Sequence, residues 1–365
     1  MRIIGLMSGS SLDGLDIALA DFAWSPDGTT IIWELLHAQT VSFSPIWQTR
    51  LRHIAAADGV TLARTHTYFG HYLAELVQTF LRDNALQHTD IDLIASHGHT
   101  VFHAPDQRFT LQIGCGAALA ALTRCQVACD FRTQDIALFG EGTPLAPIAD
   151  RYLFAGYDFY LNIGGIANIS CHANGKFVAF DTSAANQILN KLAQALGADY
   201  DADGAFAQSG TYLPALAAQL NALPYLAQDY PKSLSNQWVQ TDCYGIIAAF
   251  EGSLPDKLHT ATLHIAEQVA CAVQNIRQRE QLAVQPATLL VSGGGAFNTF
   301  LLAQLRNALA PLQVTVVLPD PNIINFKEAL LMGALGFLRV NGAENTLASV
   351  TGALRNTIGG AIYVA

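Results

Sequence analysis

Met1-Arg-Ile-Ile-Gly-Leu-Met-Ser-Gly-Ser-Ser-Leu-Asp-Gly-Leu-Asp16 is the stretch on which the fold turns. The β-favouring residues Ile3, Ile4 and Leu6 stop at Ser8-Gly-Ser-Ser11, and a second apolar run, Ile17-Ala-Leu-Ala20, follows Asp13-Gly-Leu-Asp16. The pattern predicts a strand, a tight glycine turn lined with hydroxyls and carboxylates, and a return strand. Backbone N–H groups and hydroxyls in such a turn suit phosphate oxygens, and its carboxylates suit a hydrated metal ion. No Gly-Lys-Ser/Thr follows and the glycines open no helix, so the stretch is not a P-loop. A Gly/Ser/Asp hairpin is also a plain way to reverse a chain, and the rest of the sequence has to separate the two readings.

Working outward, strand-like runs cover 2–7, 16–22 and 30–43, followed by helical patterns over 45–57 and 62–84. A strand over 92–96, another over 109–113, a helix over 117–124 and a strand over 126–129 complete the first half. The second half repeats the plan. Its runs at 159–163, 167–171 and 177–180 precede helices over 184–196 and 258–281, a strand over 287–291, a helix over 298–309, a strand over 313–318 and a helix over 327–340. The first strand of this half stops at Gly164-Gly165, as the first strand of the chain stops at Gly9. The shared order predicts an α/β protein of two related domains, 1–145 and 146–365. A chain of 365 residues is long enough for two cores.

Composition narrows the class. Hydrophobic residues make up 51% and charged residues 13%, the balance of a folded chain. No stretch approaches the roughly 18 uninterrupted apolar residues of a membrane span, and the N-terminal strand has neither a basic lead nor a cleavage site, so no signal peptide is expected. The net charge of −10 comes without a basic stripe, which argues against nucleic acid but not against ATP, because glycine loops and a metal act locally. Cys125 and Cys129 are close in sequence, yet Cys115, Cys171, Cys243 and Cys271 supply no second close pair for zinc. Reduced thiols in a cytoplasmic protein are expected.

Several segments carry chemistry. Ser292-Gly-Gly-Gly295, between a strand and the helix that Asn298 opens, lets a phosphate or planar group approach the backbone at a helix N-terminus. It is otherwise a tight strand-to-helix turn. Asn162-Ile-Gly-Gly-Ile-Ala-Asn168 offers Gly164, Gly165 and a polar contact at Asn168, or a simple hairpin. Asp181, at the end of a strand, is placed to act as a general base in the cleft of an α/β protein, and equally to cap the helix expected near Ala184. His97, His99 and His103 have metal-like spacing but no Cys or Glu beside them, which favours hydrogen bonding to substrate or structure. Arg132, between Asp130 and Asp135, suits bidentate binding of a substrate carboxylate, or an ion pair with either aspartate.

Taken in order, Met7-Ser-Gly-Ser-Ser-Leu-Asp-Gly-Leu-Asp16, Ser96-His-Gly-His-Thr-Val-Phe-His103, Asp130-Phe-Arg132, Asp135-Ile-Ala137, Asn162-Ile-Gly-Gly-Ile-Ala-Asn168, Gly293-Gly-Gly295 and Ser349-Val-Thr-Gly352 resemble the anhydro-N-acetylmuramic acid kinase family, from the first residue to the last few. The resemblance implies two ribonuclease H-like domains around a central ATP cleft, the fold of the sugar kinase, heat-shock ATPase and actin superfamily. It implies hydrolytic opening of 1,6-anhydro-N-acetylmuramic acid and phosphorylation at O6, to give N-acetylmuramic acid 6-phosphate in cell-wall recycling. ATP and Mg²⁺ are the implied cofactors, and a cytoplasmic homodimer acting on a small sugar is the implied form. By the same resemblance Asp181 is the base that activates water, and Glu328 a second carboxylate near the sugar. Gly9, Ser10, Ser11, Leu12, Asp13, Gly14, Leu15 and Asp16 hold phosphates, with Asp13 and Asp16 toward Mg²⁺. Gly164, Gly165, Asn168, Gly293, Gly294, Gly295 and Asn298 complete the nucleotide site, and His97, Asp130, Arg132 and Asn186 face the sugar.

The chain departs from the family's pattern on the sugar side. The usual Asp-Thr-Gly-Pro-Gly-Asn reads Asp181-Thr-Ser-Ala-Ala-Asn186, an expected aspartate is Asn190, and the usual Lys-Ser-Thr-Gly-Arg-Glu reads Lys232-Ser-Leu-Ser-Asn-Gln237. The usual threonine of the first loop is Ser10. A kinase for a related sugar or amino sugar is therefore the alternative within the enzyme class, and a non-catalytic actin-like nucleotide-binding protein the alternative outside it.

Overall fold

Ile3, Ile4 and Leu6 are fully buried in β1 (Arg2–Ser8), the central strand of the first sheet. The computed structural model describes residues 1–9, 12 and 14–365. Ser10, Ser11 and Asp13, expected to contact phosphate and metal, lie outside the described residues. β2 (Gly14–Trp24) and β3 (Ile31–Ser42) follow antiparallel, as the turn chemistry requires. β4 (Leu93–Ser96) then lies parallel to β1. β5 (His99–Ala104) and β6 (Phe109–Ile113) form a separate hairpin, and β7 (Val127–Cys129) lies parallel to β4. The sheet order is β7-β4-β1-β2-β3, with Ala361–Tyr363 added antiparallel at the β7 edge. Against it packs the helix Gly59–Asp83, whose buried Phe69, Leu73, Val77 and Phe80 form one stripe at helical spacing. Asp58 starts that helix by accepting the N–H groups of Val60 and Thr61 at 2.9 and 3.0 Å.

The second sheet has the same plan. β8 (Phe159–Ile163), β9 (Ile166–Ala173) and β10 (Lys176–Ala184) are antiparallel neighbours. β11 (Ala287–Ser292) pairs parallel to β8, and β12 (Val314–Val317) parallel to β11. The order β10-β9-β8-β11-β12 matches β3-β2-β1-β4-β7 in sequence and polarity. Hairpin turns suffice for the antiparallel half of each sheet, and helices make the crossovers to the parallel half. The helices Leu254–Arg279 and Thr299–Leu309 bury Leu258, Ile265, Val269, Leu301 and Leu305 in this unit's core. Each unit is ribonuclease H-like, so the α/β class and the repeat expected from the order of elements are present.

The units divide as Met1–Ala155 with Phe326–Ala365, and Gly156–Asn325. The division differs from the expected 1–145 and 146–365, because the last segment packs on the first sheet. The boundary falls inside the helix Pro321–Val340. Beyond it, an added Cβ at Gly5 of β1 would stand 1.8 Å from the carbonyl oxygen of Ala329. Only glycine permits that approach, and a periodicity reading of either segment alone does not reveal it. Asn345, fully buried, secures the end of the chain: its Nδ2 donates to the carbonyls of Leu335 and Gly359 at 3.2 and 2.8 Å, and its Oδ1 accepts the Gly359 N–H at 2.6 Å. Among the described residues no helix is long and apolar enough to cross a membrane.

Gly5→Ala is expected to cost about 3 kcal/mol, since the clash is with backbone and cannot be relieved by a rotamer change. The check is thermal unfolding beside Gly59→Ala, where an added Cβ meets nothing within 4 Å. The first variant should melt well below the parent and the second at or slightly above it.

Candidate active site

The second unit brings its two glycine turns together. Gly164 and Gly165 join β8 to β9, and their carbonyls receive the N–H groups of Asn186 at 3.1 Å and Ala185 at 2.9 Å. Asn186 also donates Nδ2 to the carbonyl of Ile163 at 3.1 Å, so the start of the helix Asn186–Gln194 is tied to this turn. The neighbouring strand β11 places Ser292 opposite Asn162. Gly293 follows with φ +81°, and a Cβ there would stand 2.7 Å from both Asn162 Oδ1 and the Ile163 carbonyl. Gly294, Gly295, Asn298, Asn186, Asn190 and Asp203 border a recess of about 330 Å³. Asn298 also caps the helix Thr299–Leu309, accepting the Leu301 N–H at 2.9 Å. Asn168, on β9, stands opposite Asn162 and Asp181 in register.

Asp181 is not a helix cap. It lies within β10, at a bulge between Asp181 and Ser183, and the next helix begins at Asn186 behind Ala185 with no side-chain cap. Its Oδ2 accepts the Leu234 N–H at 2.7 Å, and its backbone carbonyl accepts the Tyr225 hydroxyl at 2.8 Å. Burial pushes the carboxyl above the usual aspartate range, against the Leu234 N–H that favours the carboxylate. A half-buried carboxylate held at one oxygen, with a raised pKa, is equipped to take a proton. Tyr225 and Leu234 lie far from Asp181 in sequence, and no local spacing announces them.

The first unit collects a different set. β2–β3 pairing sets Thr40 opposite Asp16, and the Thr40 hydroxyl donates to Asp16 at 2.6 Å. Glu328 follows Lys327, whose ammonium pairs with the buried Asp150 at 3.0 Å. The Glu328 side chain remains open to water at the surface of this unit, which tempers the upward push on its carboxyl from desolvation and from the Asp16 charge; Arg132 and Lys327 oppose that push. Arg132 pairs with neither neighbouring aspartate. Asp135 is satisfied by the Gly142 N–H and the Thr351 hydroxyl, both at 2.8 Å, and Asp130 accepts from Thr133. The Arg132 Nε is buried without a hydrogen-bond partner among the described residues. His97 is buried beside it, and burial followed by the Arg132 charge pushes its pKa down to about 3. His99 instead bonds Ser8 at 3.1 Å. Among the described residues no three His, Cys, Asp or Glu side chains gather as a metal site.

The family model described as anhydro-N-acetylmuramic acid kinase matches residues 1–365. The chain belongs to the anhydro-N-acetylmuramic acid kinase family. It is 32% identical to the protein of that name from Aliivibrio fischeri, over 100% of this chain and 99% of that one. It is 34% identical to the one from Azorhizobium caulinodans, over 100% and 99%, and 33% identical to the one from Methylobacterium nodulans, over 99% of each. The chain is a sugar kinase.

Positions that depart from the pattern of the anhydro-N-acetylmuramic acid kinase family fall around Asp181 and the recess. Ser183, Ala184 and Ala185 are buried in and after β10, and the Ser183 hydroxyl has no partner among the described residues. Asn190 borders the recess, and Asn236 accepts the Gln187 side-chain amide at 2.7 Å. Gly293→Ala would force a side chain into the left-handed region and against Asn162. It is expected to cost about 2 kcal/mol of stability and to weaken binding of an ATP analogue, both readable by calorimetry.

Proposed function

We propose that this kinase opens 1,6-anhydro-N-acetylmuramic acid with water and transfers the ATP γ-phosphoryl group to the freed O6, giving N-acetylmuramic acid 6-phosphate and ADP. Water forms the new bond at the anomeric carbon, the bond from that carbon to O6 breaks, Asp181 takes the water proton, and O6 receives phosphate. Phosphoryl transfer needs alignment and charge neutralisation above all. The glycine turns at Gly9, Gly164–Gly165 and Gly293–Gly295 line up with that need, as anion-binding backbone. Asp16 and Thr40 offer oxygen donors alone, which fits Mg²⁺, whose part when bound is to neutralise phosphate charge. Glu328, His97, Asp130, Arg132 and Asn186 are assigned to the sugar, with Arg132 toward its carboxylate. A cytoplasmic homodimer serving cell-wall recycling belongs to the same proposal.

The observation that carries the reading is Asp181: a family member's expected base, held in a strand by the Leu234 N–H and free of any capping role. The buried replacements Ser183–Ala185 beside it support a second reading, a kinase of the same mechanism class for a related amino sugar. The test is ATP consumption with Mg²⁺ and 1,6-anhydro-N-acetylmuramic acid, with product mass read in parallel. A product heavier by phosphate plus water supports the reading. ATP binding without turnover on this sugar, with turnover on another amino sugar, supports the second.

Asp181→Asn is expected to abolish turnover while ATP affinity stays within about 3-fold, because the lost function is proton abstraction. Near-full activity in that variant would remove Asp181 from the chemistry. The base works only when deprotonated, and burial raises its pKa from the ordinary 3.8. The acid limb of kcat/KM should therefore have its midpoint above that value, with activity lost as pH falls through it.

A further inference from the structure

The Leu234 N–H that holds Asp181 Oδ2 at 2.7 Å comes from a loop. Residues 222–235 contain neither helix nor strand, so no ladder of their own fixes where that N–H points. The chain regains helical form over Asn236–Trp238 and the wider turn Val239–Cys243, and Ser235 Oγ starts it by accepting the Trp238 N–H at 3.1 Å. Leu234 is therefore set by the segment that follows it. Val239 and Cys243 are buried in the core of the unit, which fixes the depth of that segment. Apolar contact is non-directional and leaves it free to slide along the helix Asn186–Gln194. Two polar rungs fix the register. Gln187 Nε2 donates to Asn236 Oδ1 at 2.7 Å, and Lys191 Nζ donates to Gln240 Oε1 at 2.5 Å. The donors are four residues apart on one side and the acceptors four apart on the other, so the rungs lie one turn apart on both. Each donor is itself placed. Gln187 packs on Gly165, where a Cβ would stand 2.8 Å from its Cγ, and the Lys191 ammonium lies 3.8 Å from the centre of the Tyr244 ring.

Gln187, Lys191 and Gln240 belong to none of the motifs that carry the family resemblance, and Asn236 stands where the family pattern has an arginine. The rungs lie toward the surface, where a hydrogen bond adds little to stability, and their effect is on geometry. We propose that Gln187 with Asn236, and Lys191 with Gln240, are positioning pairs that hold the Leu234 N–H on the Asp181 carboxylate and so set the strength of the base. The inference rests on the reading of Asp181 as the base and adds to it what tunes that base. The Leu234 bond favours the carboxylate and burial opposes it. Loosening the rungs weakens the bond, so burial prevails and the carboxyl titrates at higher pH. The charged or titratable groups on the segments beside Asp181 are Tyr225, whose hydroxyl donates to the Asp181 carbonyl, and Lys232, whose ammonium donates to the carbonyls of Tyr225 and Leu226. Neither takes part in a rung, and Asn168, opposite Asp181 on β9, carries no charge.

Gln187→Met with Gln240→Met removes one partner of each rung at constant length and charge. Gln194→Met, on the same helix and outside both rungs, is the control. The readout is the ¹³C titration of the Asp181 side-chain carboxyl in the free protein, with its signal assigned by its loss in Asp181→Asn. The double variant is expected to titrate about 0.5 pH unit or more above the parent, and the control with the parent. In turnover of 1,6-anhydro-N-acetylmuramic acid, the acid limb of kcat/KM should move up by the same amount. An unshifted carboxyl, a downward shift, or an equal shift in the control overturns the proposal. If the double variant does not fold, Gln240→Met alone is read against the control, with a shift of about half that size expected and no shift overturning the proposal. A parent that does not turn over this sugar removes the function reading, while the carboxyl titration still decides the role of the rungs. An active parent with an unshifted carboxyl in the variants removes the inference alone.

Discussion

The Ala329 carbonyl occupies the space that a side chain at position 5 of β1 would need. That contact sets the depth at which the helix Pro321–Val340 lies on the first sheet, and much of the first unit follows from it. Phe22 and Leu93 meet Gly333 and Gly336 one and two turns further along the same helix. One residue before Ala329, Glu328 is carried to where the charges of Asp16 and Arg132 act on it. β1 in turn fixes Asp16 by register, with Met7 opposite it, so a carboxylate on a strand and a carboxylate on a helix are positioned by one line of backbone packing. Lys327 reinforces the arrangement through Asp150.

The distribution of unmatched polar atoms divides scaffold from site. In the scaffold, buried polar groups are closed among themselves. Asn345 makes three hydrogen bonds to the backbone, and Asp201 accepts the N–H groups of Phe206 and Ala207 at 2.8 and 3.0 Å. The described orphans are His97 Nε2, Gln112 Oε1, Arg132 Nε and Ser183 Oγ, and each belongs to or adjoins a segment assigned to the sugar. A chain with so few charged residues has little surplus polarity, which makes the position of each unmatched group informative.

Much of this was legible in the sequence because alternation, helical spacing and glycine turns are local properties. The succession of strands and helices along each half could be read locally, whereas the order of the strands within each sheet came with the structure. The glycine turns at Gly164–Gly165 and Gly293–Gly295 were visible for the same reason. What escaped was non-local. The placement of 326–365 on the first sheet depends on an ångström-scale approach between Gly5 and a helix more than three hundred residues away. Asp181 could not be separated from a helix cap, because Asp181, Thr182 and Ser183 all have capping side chains; only the continuation of β10 to Ala184 decides. The strand β5 was missed, because the histidines after the 92–96 strand were read for their metal-like spacing and not for alternation. Gln112 carries no signal of its own, since a glutamine in a short strand is ordinary until its partner is missing.

The first unit is discontinuous, and this has a consequence for synthesis. A ribosome releases β1 through β7 early, but the helix that covers Gly5 and the strand that covers the β7 edge emerge last. Until then Ile3, Phe22 and Leu93 lack their cover on one face, and the edge of β7 is open to pairing. The second unit, Gly156–Asn325, is an uninterrupted stretch that can close its own core in the meantime. The order of completion is thus the reverse of the order of translation: the earlier segment of the first unit waits for the later one, and a nascent chain cut short before Phe326 leaves exposed an apolar sheet face that the later segment covers.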